Sequence, residues 1–208
     1  MRSGIQLDLR PPLELQRMAN GELVAIRAAD EPGDDALLRE LALDLSRTGG
    51  HRRVLARLGI IHRVPRSLQP LTHPEALEEC LLAVDPRTGT PIGMASISGP
   101  GSDDHTAQPW LIVRGSVRRR GVGTALLERL AVRARERGYD RFGLRLVVSE
   151  QRMLELMRRV GIACTPSRSL REIEADVPIP GGDGLGVALG AALWAVARGG
   201  LEPRLPHG

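Results

Sequence analysis

The sequence predicts an α/β (α+β) domain with a mixed central β-sheet flanked by helices. Three observations carry that expectation. Strand-like apolar runs and amphipathic helical stretches follow one another in the order β-α-α-ββ-β-α-β-α-β. The hexapeptide Pro86-Arg-Thr-Gly-Thr-Pro91 joins two strand-like runs as a hairpin. A strand over 107–113 runs through a basic, glycine-containing loop into a helix.

In chain order, residues 1–20 read as an irregular leader with Pro11-Pro12, and 23–27 alternate as a strand. Over 34–46, Leu37, Leu38, Leu41 and Leu45 fall on one helical face. Residues 51–58 read as a short helix, 59–73 as a loop with Pro65 and Pro70, and 73–80 as a helix begun by Pro74. The hairpin strands are 81–85 and 92–98. After a turn-rich stretch over 99–104 comes the 107–113 strand. The helix over 122–137 carries Leu126, Leu130 and Ala134 and stops at Gly138. A strand over 141–148 precedes a helix over 151–160 with Met153, Leu156, Met157 and Val160 inward, and 170–177 is a late strand. The expected organisation is an N-terminal extension (1–21), one domain (22–177) and a C-terminal extension (178–208) rich in Pro and Gly. Residues 185–197 form a short apolar helix there and a candidate homodimer contact.

Composition bounds the function classes. Of the 208 residues 42% are hydrophobic and 26% charged, ordinary for a soluble domain. There is no lysine; all 29 basic residues are arginine, and the net charge is +4. Residues 114–145 hold ten arginines against Glu128, Glu136 and Asp140, a surplus of +7 that leaves −3 elsewhere. A local positive field suits a polyanionic ligand. Nucleic acid is not expected, because the four aromatic residues are too few for base stacking. Cys80 and Cys164 match no zinc or redox spacing, and no metal is expected. The longest mainly apolar run, 13 residues, is too short to span a bilayer, and there is no signal-like N-terminus, so a cytoplasmic location is expected.

The chemistry-bearing segment is Arg118-Arg119-Arg120-Gly121-Val122-Gly123-Thr124. A helix N-terminus presents unpaired N–H groups and a positive dipole end, and glycines let the backbone come close to phosphate oxygens. With the strand before it and the helix after it, the segment reads as a pyrophosphate loop. At these residues the chain resembles the GCN5-related N-acetyltransferase (GNAT) family, whose central motif is Arg/Gln-x-x-Gly-x-Gly/Ala after an apolar strand. Residues 144–162, a strand and then a helix closed by Gly161 and Ile162, resemble the family's next motif. The layout of Ala25–Asp30, Pro91–Ser96 and Met153–Gly161 is similar to bacterial protein-lysine acetyltransferase domains.

That resemblance implies acetyl-CoA as co-substrate and a splayed pair of parallel strands, 107–113 and 141–148. The pantetheine arm would lie between them against the backbone of Leu111, Ile112 and Val113. The pyrophosphate would sit on the N–H groups of Arg119 to Thr124, with Arg118, Arg119 and Arg120 adding charge. The implied reaction is transfer of acetyl to an amine, of a protein lysine or a small molecule. The alternative is a non-catalytic acyl-CoA-binding or regulatory domain.

The resemblance also marks departures. The Glu that serves many relatives as base is matched by Gln108, which holds a water but takes no proton near neutral pH. Asp103, Asp104 and His105, just upstream, are candidate substitutes. The frequent Tyr proton donor falls at Met157, which reads as core, and the frequent Asn at Glu150 or Gln151. Cys164 has no activating neighbour in the sequence and reads as structural.

Overall fold

A computed structural model describes residues 14–18, 21–47, 77–100, 105–117, 120–147, 161–166, 172–181 and 201–202, with single positions at 155, 158, 159, 186 and 190. Among the described residues nine strands form one mixed sheet: β1 (Glu14–Arg17), β2 (Leu23–Ala28), β3 (Glu79–Val84), β4 (Pro91–Pro100), β5 (Thr106–Val113), β6 (Arg141–Val147), β7 (Ala163–Pro166), β8 (Glu172–Pro178) and β9 (Leu201–Glu202). Their order is β1-β2-β3-β4-β5-β6-β8-β7, with β9 on β6. Every described pairing is antiparallel except β5 with β6. The expected mixed sheet flanked by helices is therefore present.

The two helices among the described residues lie on opposite faces. In α1 (Asp34–Arg47), Leu38 and Leu41 are fully buried against Ala25, Leu82, Met94, Trp110 and Ile112. In α2 (Val122–Glu136), Leu126, Leu130 and Ala134 are the predicted stripe, and all three are buried, packing with Ala95, Ile97, Ala107 and Phe142. The two-residue period of β5 serves both layers: Trp110 and Ile112 face α1, while Ala107, Leu111 and Val113 face α2. Asp34 closes the start of α1. Its carboxylate takes both Nη atoms of Arg27 at 2.7 and 2.6 Å and the Glu31 N–H at 2.9 Å. Among the described residues no helix is long and apolar enough to cross a membrane.

Two expectations are corrected. Residues 14–17, read as part of an irregular leader, form the edge strand β1, paired with β2 from Glu14↔Ile26 to Arg17↔Leu23. Glu14 also forms an ion pair with Arg129 of α2. The helix expected over 73–80 does not include its last residues, because Glu79 and Cys80 open β3 opposite Ile97 and Ser96. Sheet pairing overrides the local helical pattern there. The strand Ala163–Pro166 lacked any alternation to announce it and is held by β8. The helices expected over 51–58, 151–160 and 185–197 lie outside the described residues, apart from isolated helical positions in the last two.

Candidate functional site

The site lies where the sheet opens. β5 and β6 pair only at Thr106↔Arg141 and Ala107↔Phe142 and then part, so the expected splay of two parallel strands is present. β5 stays bonded to β4 as far as Gly93↔Val113, and β6 to β8 as far as Val147↔Glu172. Each wall of the wedge is thus braced from behind.

The sequence explains the parting. Arg114 N–H donates to Ile92 O on β4 at 2.9 Å. Backbone groups alternate sides along a strand, so Val113, Leu111 and residue 109 turn theirs away from β4, toward the wedge. Residue 109 is proline, which has no N–H to extend the ladder beyond the Ala107 rung. Leu111 and Val113, predicted to present their backbone to a ligand, point it into the opening. Ile112 turns its backbone to β4 and its side chain to the α1 face.

α2 starts at the mouth of the wedge. Its N-cap, Gly121, has φ 93° and ψ −8°, a left-handed geometry that favours glycine. Ala125 N–H reaches Gly121 O at 2.9 Å. The first-turn N–H groups of Val122, Gly123 and Thr124 have no carbonyl four residues back within the helix and point outward. A Cβ on Gly123 would lie 3.6 Å from both Leu111 Cδ2 and Val113 Cγ2, which ties the helix start to the wedge wall. Met18 buttresses the loop, its Sδ 3.5 Å from where a Cβ on Gly121 would be.

The local positive charge is shared in the fold. Arg120 is exposed and bonds Glu22 at 2.9 and 3.0 Å. Arg114 bonds Glu40 at 2.8 Å, Arg137 bonds Glu79 at 2.8 Å, and Arg129 pairs with Glu14. Carboxylates from distant segments therefore offset much of the +7 surplus. Arg118 and Arg119 lie outside the described residues.

At the root of the wedge sits Gln108, one residue past the last rung and 4% exposed. Neither Oε1 nor Nε2 has a hydrogen-bond partner among the described residues. Its amide lies over Gly143 of β6: a Cβ there would be 2.5 Å from Nε2. Thr106 Oγ1 and Ser96 Oγ are also buried and unpartnered. His105 is not brought to this point. Its side chain is exposed, and its carbonyl accepts the N–H groups of Asp140 and Arg141 at 3.0 and 3.3 Å, at the closed end of the pair. Asp103, Asp104, Glu150, Gln151 and Met157 lie outside the described residues.

Both cysteines lack activation. Burial, with Asp34 and Glu79 nearby, pushes the Cys80 thiol up to about 12. Burial also raises Cys164, whose Sγ lies 3.7 Å from Ile162 O.

Sequence reasoning missed one feature. β9 pairs with β6 at Arg145↔Glu202 and Leu146↔Leu201. The other edge of β6 is already taken by β8 at those residues, so β9 lies on the edge that β5 leaves. It also lies against β5. Nothing in Leu201-Glu202 signals this, since two residues carry no periodicity. Pro109 was a readable signal for the wedge itself.

The pattern of the acetyltransferase (GNAT) family matches residues 55–162. No curated protein matches. The fold is shared with the GNAT domain of a protein named PAT from S. lividans, with TM-score 0.55, 17% identity and coverage of 80% of this chain and 96% of that one. A cAMP-binding acyltransferase from Mycobacterium smegmatis aligns with TM-score 0.50 and 19% identity over 90% of this chain, which spans 56% of that protein. A protein of the same family from Desulfovibrio desulfuricans aligns with TM-score 0.50 and 15% identity, covering 76% and 99%.

Proposed function

This chain belongs to the acetyltransferase (GNAT) family, and from that premise we propose that it transfers an acetyl group from acetyl-CoA to an amine. Membership supports acyl transfer in general; the donor and the acceptor are the proposed part. The supporting observation is the wedge between β5 and β6 with the Gly121–Thr124 helix start at its mouth. In this reading the pyrophosphate rests on the N–H groups of Val122, Gly123 and Thr124, joined by Arg120. The pantetheine arm runs down the wedge beside Leu111 and Val113, and the thioester lies at its root.

The amine nitrogen attacks the thioester carbonyl carbon, the C–S bond breaks, and the sulfur departs as a thiolate. The amine also gives up a proton. Gln108 has no basic atom to take it, so the amine enters neutral and the proton goes to water. The rate should then rise with pH up to the acceptor's own pKa. The acceptor is a protein lysine or a small-molecule amine, and the proposed setting is the cytoplasm.

A second reading, acyl-CoA binding without turnover, is favoured by one observation: the neutral Gln108 at the position where many relatives carry a carboxylate. One paired experiment separates the two. A thermal shift with acetyl-CoA is combined with coenzyme A release over a panel of amines. Stabilisation with release supports the enzyme; stabilisation without release supports the binding domain. A chain indifferent to acetyl-CoA would defeat both.

A further inference from the structure

We propose that Gln108, seated over Gly143, reads the acyl group: its Nε2 donates to the acyl carbonyl oxygen, and the closed rung beneath it restricts the group to acetyl. The proposal rests on the acetyl-CoA reading above and deepens it.

Four observations lead there. Gln108 is 4% exposed, yet both polar atoms of its amide lack a partner. Buried carboxamides are nearly always hydrogen-bonded, because leaving one bare forfeits its solvation. None of the described residues supplies that partner, which leaves the amide able to take one from a ligand. Second, Gly143 is not among the glycines with a left-handed backbone, so its glycine is needed for space and not for conformation. A Cβ would meet Nε2 at 2.5 Å and Thr106 Cγ2 at 3.1 Å, so the amide in its present place leaves no room for one. The missing side chain on β6 is what lets the amide cross from β5.

Third, the seat lies at the closed end of the wedge, one residue past the last rung. The rung Ala107↔Phe142 closes the sheet immediately below it, and Phe142 is fully buried. From Val113 at the mouth to Gln108 is five residues of extended chain, about 17 Å. A long, thin arm entering at the start of α2 would therefore bring its far end here. Fourth, that end of an acyl-CoA carries one good acceptor, the thioester carbonyl oxygen. Free coenzyme A carries a thiol instead, a weak hydrogen-bonding group. Nε2–H has a fitting partner in the first and not in the second. Unpartnered Thr106 Oγ1, two residues away on the same face, adds polarity around that oxygen and disfavours an apolar extension of the acyl chain.

The test is calorimetric titration of the full chain with coenzyme A, acetyl-CoA and butyryl-CoA, which needs no knowledge of the acceptor. The unmodified chain should bind acetyl-CoA up to about tenfold more tightly than coenzyme A, the worth of one neutral hydrogen bond. It should bind butyryl-CoA more weakly than acetyl-CoA. Gln108→Leu keeps much of the volume and removes the donor, so it should bind coenzyme A and acetyl-CoA alike. It should also melt at a higher temperature, having shed a bare buried amide. Gln108→Ala opens space and should improve butyryl-CoA relative to acetyl-CoA. Gly143→Ala tests the seat from the opposite strand and should lose the same acetyl preference with Gln108 intact.

Should Gln108→Leu keep the original acetyl-to-coenzyme ratio, the amide serves an ordered water and the proposal is wrong. Equal binding of both ligands by the unmodified chain overturns it too, while leaving the coenzyme site standing. No binding of either ligand overturns the coenzyme reading along with it.

Discussion

Gly121 and Gly123 are two residues apart in a loop assigned to a pyrophosphate, and alanine should act on them in opposite directions. A Cβ on Gly123 meets Leu111 Cδ2 and Val113 Cγ2 at 3.6 Å, ordinary contact distance. The protein alone gives no reason for glycine at 123. Alanine there should raise stability by about 0.5 kcal/mol, the low end of the helical Gly-to-Ala gain because the site is in the first turn. For a chain of this length that is a rise of about 1–2 °C in Tm. If phosphate oxygens approach the helix start as proposed, the same methyl holds them off. Losing one hydrogen bond to a charged group costs about 1.5–3 kcal/mol, or about 10- to 150-fold in the Kd for acetyl-CoA. Gly121 is different, because its φ of 93° is a left-handed geometry. Alanine there should cost about 1–2 kcal/mol and lower Tm by about 2–8 °C. The assays are differential scanning fluorimetry of the free variants and calorimetric titration with acetyl-CoA. Gly123→Ala with raised Tm and unchanged acetyl-CoA affinity would refute the phosphate-loop assignment, since the fold tolerates the methyl and only the ligand can object.

Three further outcomes follow from other parts of the molecule. Asp34→Asn should remove the nearer of the two carboxylates paired with an Arg27 guanidinium whose side chain is only 9% exposed, leaving Glu31 at 3.6 Å, and should cost up to about 3 kcal/mol, or up to about 6–12 °C in Tm. Burial opposes the Asp34 charge, but Arg27 and the Glu31 N–H outweigh it and hold the carboxyl below its usual range. Its contribution is therefore complete above the unfolded pKa of about 4 and fades as pH falls through the lower folded value; acid titration of Tm should show that loss in the native chain and not in the variant. Cys80, with its thiol pushed up to about 12, should resist iodoacetamide at pH 8 while the chain is folded and react on unfolding, as mass spectrometry of the labelled peptides would show; rapid labelling of native Cys80 would contradict its burial. Ending the chain after Gly200 removes β9 and should tighten acetyl-CoA in the same titration; equal or weaker affinity would mean that β9 and the ligand do not share the β6 edge.

Much of this architecture was legible in the residues because its cues are local. Apolar spacing in 34–46 and 122–137 located both described helices, and Gly138 marked the end of the second, with φ 91°. The strand, loop and helix around Gly121 needed no long-range information. What escaped was decided by partners far away in sequence. β1 is a strand because β2 lies beside it and Arg129 receives Glu14. Glu79 and Cys80 are extended because β4 pairs with them. The basic surplus was countable, but Glu14, Glu22, Glu40 and Glu79 meet those arginines only after folding. Gln108 was identified by its place in the motif; that no described residue bonds its amide, and that Gly143 makes room for it, is decided by strands 35 positions apart that meet only in the fold.

The placement of Leu201–Glu202 on β6 makes the chain's own C-terminal strand an occupant of the wedge. Along the parallel register, whose offset is 35 positions from Thr106 to Arg141, Arg145 and Leu146 stand level with Trp110 and Leu111. In the proposed coenzyme reading, a ligand arm that bonds to this stretch of β6 must evict the strand, and binding is then an exchange. The measured Kd is then the intrinsic one divided by the fraction of molecules with the edge free. Occupancy is thereby written on the C-terminus. A fluorophore attached at β9 would then report each arrival of ligand, with no acceptor and no turnover required.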